Sequence, residues 1–390
     1  MATKNILKKN TMLIALGVVM VLFQVLIVRG DKGSLFAPNN ISNLFFQNSY
    51  VVILAAGMLL CILTGGNIDL SVGSVVAFVG AMAGTLIVTK GVNIYLSIVI
   101  CLLLGAAIGA WQGFWIAYMR IPAFIVTLAG MLVWRGLALV TLGGLTISPF
   151  PEEYTRYFNT FIPGADASKA TVFRTTMLVA VSVCVLAIAL QVFSRIQKKR
   201  KGYAAESIFL FLFKLLFLCA VVVAIAWLLG LHKGIPVILI LLAIVVFIYI
   251  YYTTSTVPGR HLYAMGGNEK AAQLSGINTN RVLFGAYTNM GFLSSLAALV
   301  VVSRFNSAAP TAGTNYEMDA IASCYIGGAS AYGGTGTVGG AVIGAIFMGV
   351  LNNGMSILGI DSNWQRFVKG MVLLVAVAFD VISKKRSKAV

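Results

Sequence analysis

The chain has 390 residues, of which 59% are hydrophobic and only 10% charged, and its mean hydropathy is +0.94. A soluble domain carries roughly 25% charged residues, so a surface this poor in charge is not built to face water. The net charge of +17 sits mostly in short segments between apolar runs, with no aromatic-interleaved basic face. That argues against a nucleic-acid partner and fits positive-inside topology in a lipid bilayer.

The first apolar run, Met12–Val28, follows Lys4, Lys8 and Lys9. Val28-Arg29-Gly30-Asp31 offers no small-residue cleavage site, so an uncleaved first helix is expected. Further spans are expected near 49–63, 71–89, 94–118, 121–143, 171–194, 208–230, 234–253, 282–303, 318–333, 337–354 and 366–382. These runs approach the roughly 20 apolar residues needed to cross a bilayer core. Inside lipid they must be helices, because every backbone group has to be bonded internally. The apolar/polar alternation of a membrane barrel is absent. The connections 64–70 and 334–336 are so short that the segments flanking them are expected to be broken or re-entrant. The expected fold is therefore an all-α polytopic bundle of ten to twelve crossings.

The basic residues place the ends. With the N-terminus inside, the segments holding Arg195, Lys198, Lys199, Arg200, Lys201, Arg260, Lys270, Arg281, Lys384, Lys385, Arg386 and Lys388 are cytoplasmic. Both termini are then cytoplasmic, and the long polar loop 144–170 faces outward. Arg366 and Lys369 run against this bias, at the outer start of the last span. Arg135 and Lys214 fall near span ends and can snorkel. Trp111, Trp115 and Trp134 fit interface anchors. Five scattered cysteines, an odd number without zinc or redox spacing, read as packing residues.

One transmembrane domain is expected, in four stretches: a Gly-rich region over 49–145, a variable insert over 146–254, a cytoplasmic loop over 255–281 and a second Gly-rich region over 282–382. The two Gly-rich regions share a layout. After Leu63 and after Ile326, an apolar run meets a Gly-Gly break, a polar stretch and a small-residue helix, a weak internal repeat. Gly-interrupted segments at corresponding places in two halves often carry a transport pathway. Gly80/Gly84, Gly105/Gly109/Gly113 and Gly336/Gly340/Gly344 are small-xxx-small faces for close helix packing.

Among polar candidates, Asp69 and Ser71 stand where a half-helix begins, so they either cap it or line a path. Glu317 and Asp319 read as carboxylates at the outer end of a span, solvated or facing an external partner. The two histidines, His232 and His261, imply no metal site. Gly334-Thr-Gly-Thr-Val-Gly339 matches the dinucleotide fingerprint only in composition, since no strand or βαβ unit surrounds it. In the cytoplasmic loop, Asn268 fits a helix N-cap and Glu269 its first turn, while Gly276 fits the left-handed stop. The short helix so defined, Gly267 to Gly276, is a candidate docking element.

That loop, Gly259-Arg-His-Leu-Tyr-Ala-Met-Gly-Gly-Asn-Glu-Lys-Ala-Ala-Gln-Leu-Ser-Gly-Ile277, resembles the coupling loop of sugar importer permeases of the ribose, galactose and xylose class, in the ATP-binding-cassette superfamily. Three other pieces resemble the same family: Gly65-Gly-Asn-Ile-Asp-Leu-Ser-Val-Gly73, Tyr316-Glu-Met-Asp-Ala-Ile-Ala322, and Gly333-Gly-Thr-Gly-Thr-Val-Gly-Gly340 through Leu351-Asn-Asn-Gly354. The length of 150–250 is closer to the xylose-type and multiple-monosaccharide members.

The resemblance implies a transport subunit rather than an enzyme, importing a pentose or hexose across the cytoplasmic (inner) membrane without a cofactor. It implies a cytoplasmic ATP-binding subunit, an extracytoplasmic sugar-binding protein and a second permease copy as partners. The chain has no Gly-x-x-x-x-Gly-Lys-Ser/Thr of its own, so ATP is expected to be hydrolysed elsewhere. Asn67, Asp69, Ser71, Ser330, Thr335, Thr337 and Asn352 are the expected pathway residues. Gly267, Asn268, Glu269, Ala271, Ala272, Leu274 and Gly276 are the expected ATPase contacts. The rival reading is an ion-coupled secondary transporter of a small polar solute. It would need buried ionisable groups, and only 11 acidic residues exist.

Overall fold

A computed structural model describes residues 11–164, 166–202 and 207–388; Lys4, Lys8 and Lys9 lie outside them. Among the described residues the first helices are α1 (Thr11–Arg29), α2 (Pro38–Leu63), α3 (Val72–Gly84), α4 (Ile94–Ala117) and α5 (Ala123–Leu142). A π turn, Thr85–Thr89, extends α3. Then come α6 (Glu152–Asn159), α7 (Lys169–Arg200), α8 (Ile208–Gly230), α9 (Val237–Ser255), α10 (Val257–Gly267) and α11 (Glu269–Leu274). The chain closes with α12 (Thr279–Phe305), α13 (Tyr316–Ile326), α14 (Val338–Ile357) and α15 (Ser362–Lys388). A small antiparallel ribbon joins Phe161–Ile162 to Ile235–Pro236.

Ten of these helices are long and apolar enough to cross a membrane, so the protein is an all-α, polytopic membrane protein. Two expected spans differ. The one placed at 318–333 ends as a helix at Ile326, because the Gly-rich run that follows is unwound. The last, α15, is 27 residues long but is not among the ten, because its apolar stretch is bounded and interrupted by charge: Arg366 and Lys369 before it, Asp380 within it and Lys384 after it.

The centre of the bundle is α2, buried without interruption from Asn48 to Leu63, with α12, α14, α13 and α9 around it. Outer helices α7 and α8 expose large apolar side chains such as Leu186, Phe209, Leu216 and Phe217. In a bilayer that is the expected outward face, because hydrocarbon is the solvent there.

The small-residue faces expected from spacing do pack helices closely. A Cβ on Gly105 would meet Ser295 and the Gly291 carbonyl of α12, and one on Gly109 would overlap the Tyr287 carbonyl. Gly113 continues the stripe against Phe284 at 3.1 Å. On the other stripes, Gly84 meets Ala308 and Gly344 meets the Ser323 carbonyl. Within the loop 144–170, Tyr154 of α6 is fully buried and donates to the Leu299 carbonyl at 2.8 Å.

Between α12 and α13 the chain is non-helical at membrane depth, a β-bridge at Ala308 and then turns over 310–315. Ala308 pairs with Ile147 and lies 3.1 Å from where a Gly84 Cβ would stand, whereas Gly313 abuts Gly73. From Gly73 to Gly84 a helix rises about 16 Å.

Candidate functional site

The two Gly-rich breaks, about 265 residues apart in sequence, meet in space. A Cβ on Gly66 would overlap the Ala331 carbonyl, and one on Gly333 would sit 2.5 Å from Gly65. Gly334 N–H donates to the Leu63 carbonyl at 3.1 Å, which satisfies one of the orphan acceptors at the end of α2. Helix α10 closes the knot: Gly266 lies against both Leu63 and Gly334, and Tyr263 donates to the Gly336 carbonyl at 2.9 Å. Only residues without a Cβ fit where three backbones approach this closely. Within the second break, Ser330 N–H donates to the Thr335 carbonyl (2.9 Å), and the Ser330 hydroxyl accepts from Tyr332 N–H (3.0 Å). The Thr337 hydroxyl caps α14 through Gly340 N–H.

Beside this knot, α3 begins in a buried polar cluster. Asp69, 3% exposed, accepts from Ser71 N–H at 2.8 Å and from the Ser71 hydroxyl at 2.6 Å. The carboxylate therefore caps the half-helix through an Asx turn. The Gln112 amide of α4 is oriented by its neighbours: Nε2 donates to Asp69 Oδ2 (3.3 Å) and Oε1 accepts from Trp134 Nε1 (3.2 Å). Trp134 stacks on Phe78 with ring centroids 5.8 Å apart. Asn67 bonds back to Thr64.

A second buried cluster corrects the expectation for Glu317 and Asp319. Neither is solvated: they are 8% and 1% exposed. Lys369 Nζ lies 3.0 Å from Asp319 Oδ1 and the Tyr50 hydroxyl donates to Oδ2 at 2.6 Å. Tyr50 in turn stacks on Tyr316, centroids 3.6 Å apart. Glu317 lies against Gly73. Arg135 does not snorkel; its Nη1 donates to the carbonyls of Pro310 (3.0 Å) and Ala312 (2.6 Å).

On the surface at the α10 end, α11 is capped as its sequence implies. Asn268 Oδ1 accepts from Ala271 N–H at 3.0 Å, and Gly276 has a left-handed φ of 84°. Arg120, in the α4–α5 turn, clamps the helix with an ion pair to Glu269 at 2.6 Å and bonds to Thr279 and Asn280. Ala272 is buried against the chain itself, whereas Leu274 is 90% exposed.

The profile of the family described as "Branched-chain amino acid transport system / permease component" matches residues 40–377. The chain belongs to this permease family. Among curated relatives, the xylose transport system permease protein XylH of Escherichia coli K12 is 35% identical over 91% of this permease and 88% of its own length. XylH of Haemophilus influenzae is 37% identical over 96% of each chain. The ribose import permease protein RbsC of Escherichia coli K12 is 35% identical over 97% of this permease and 95% of its own length. No solved structure matches.

Of the residues expected to form a pathway in this permease, Asn67, Ser330, Thr335 and Thr337 gather at the knot, with Asp69 and Ser71 beside it. Asn352 stands apart: fifteen residues along α14 from Thr337, it is about 22 Å away. Its neighbour Asn353 is the bonded one, donating to Asn40 (3.0 Å) and Gln47 (3.1 Å). Of the expected docking residues, Gly267, Asn268, Ala271, Leu274 and Gly276 are exposed and Glu269 is half-exposed. Ala272 differs from these in being buried against the chain itself. Sequence reasoning missed Gln112, whose signal was an amide within an apolar span, and the Asp319–Lys369 pair, whose partners lie 50 residues apart.

Proposed function

We propose that this permease is the membrane-spanning subunit of an ATP-binding-cassette importer that carries a monosaccharide, pentose or hexose, across the cytoplasmic membrane. The observation that carries this reading is the similarity to xylose and ribose permeases over 91% and 97% of the chain. The family description names branched-chain amino acids, and the site's electrostatics argue against a zwitterion. Such a substrate needs an open cation and an open anion. Here Asp69 is engaged by Ser71 and Gln112, and Asp319 by Lys369. A neutral sugar needs hydroxyls and amides, which the two breaks supply.

In this reading both termini and α10–α11 are cytoplasmic, and a separate ATPase subunit docks on α11. An extracytoplasmic sugar-binding protein delivers substrate on the other side, and a second copy of the permease completes the membrane unit. Leu274 is the anchor: an isolated apolar side chain held out on a capped, clamped helix has the form of an interface hot spot. Leu274→Asp is expected to leave a well-folded permease that no longer retains the ATPase on purification. Ala272→Asp instead places a charge in the permease's own interior, and the permease itself should be lost. An ATPase that follows the Leu274→Asp permease as fully as the wild type would remove α11 as the docking element.

A further inference from the structure

Residues 307–315 are a non-helical stretch, one β-bridge followed by successive turns, that runs beside the membrane helix α3 between the levels of Gly84 and Gly73. Turns bond only some of their own polar groups, here Ala312 N–H to the Ala309 carbonyl at 3.0 Å, and lipid offers no partners for the rest. Part of the demand is met internally. Ala308 exchanges both backbone bonds with Ile147, Pro310 carries no N–H to satisfy, and Arg135 serves the carbonyls of Pro310 and Ala312. A guanidinium held at this depth to bond main-chain carbonyls is costly, and it marks a place where the helix had to be given up.

The other face of the segment is open. Thr311 and Thr314 are exposed, with Met318 after them at 42% exposure. The Thr314 hydroxyl donates to the Thr311 carbonyl at 2.7 Å, which leaves its lone pairs free to accept. Exposed hydroxyls on unwound backbone do not face hydrocarbon; such segments line water.

We propose that the open face of 307–315, beside Arg135, is a wall of the aqueous path, with the Thr311 and Thr314 hydroxyls as hydrogen-bonding steps for a neutral, polyhydroxylated solute. The identity of the solute rests on the importer reading; the water-lined wall does not. Neither threonine belongs to the Gly-rich breaks, so the wall extends the path along α3 from the knot toward the level of Gly84.

The test is thiol accessibility in the assembled complex, in membranes. Four of the five native cysteines are buried and Cys219 is half-buried, so Cys219→Ser supplies the background. Thr311→Cys and Thr314→Cys are expected to react with a membrane-impermeant methanethiosulfonate at least roughly tenfold faster than Phe217→Cys on the lipid-facing surface, because the thiolate needs water. Xylose or ribose delivered by the binding protein should slow that reaction, and Thr314→Trp should stop uptake while the ATPase still follows the permease. The wall is overturned if both cysteines react as slowly as Phe217→Cys while ATPase activity is intact. It is equally overturned if they form disulfides with a second copy, which would make this face a dry seam. Failure of the importer reading shows separately, as an ATPase that never follows the wild-type permease.

Discussion

Lys369 is one of two residues, with Arg366, that the positive-inside pattern could not accommodate, and its neighbourhood explains why it is there. It neutralises Asp319, which sits 1% exposed on the half-helix α13, and the Tyr50 hydroxyl donates to the same Oδ2 that accepts from Lys369. A buried ion pair adds little net stability over an apolar pair, but removing one partner leaves an uncompensated charge. Lys369→Met is therefore expected to destabilise the purified permease by about 3 kcal/mol. Adding Asp319→Asn should restore most of that loss. Thermal unfolding in detergent reads both, and equal, additive losses from the two substitutions would show that the pair is not coupled. Nothing local marks Lys369 as paired, because its partner comes from another helix. Asp69 was half legible: its position before a small-residue helix announced a cap, while Gln112 and Trp134 came from elsewhere in the fold.

At the scale of elements, close packing is set by glycines whose spacing can be counted. Gly105, Gly109 and Gly113 lie four apart and all three meet α12. Gly136 on α5 has nothing within 4 Å of where its Cβ would stand. Gly109→Ala is thus expected to force α4 and α12 apart and to cut the yield of folded permease severely. Gly136→Ala should be harmless, or stabilising by up to about 1 kcal/mol from helix propensity. Size-exclusion yield and melting temperature decide, and equal tolerance at both positions would refute the packing account. The spans, the caps of α11 and these stripes were readable because length, capping residues and i, i+4 spacing are local signals. The end of α13 at Ile326 and the turns of 307–315 were not. Gly, Ala and Ser are nearly neutral in hydropathy, so a hydropathy scan carries a span straight through an unwound loop. Only the facing glycines of α3 and the Arg135 guanidinium fix where the helix stops.

For the whole molecule, one arrangement links the parts. The breaks that follow α2 and α13 meet each other and α10, and α10 leads within two residues into the clamped helix α11. A movement imposed on α11 from outside the membrane is therefore delivered to the point where both unwound segments touch, without a long chain of intermediates. The central claim is that this permease moves a monosaccharide with ATP hydrolysed on another subunit. The most direct measurement is uptake of labelled xylose and ribose into proteoliposomes containing the permease, its ATPase and the binding protein. The account predicts uptake of one or both sugars that requires ATP inside the ATPase-facing compartment and continues when proton and sodium gradients are collapsed. Uptake driven by an ion gradient in the absence of ATP would contradict it.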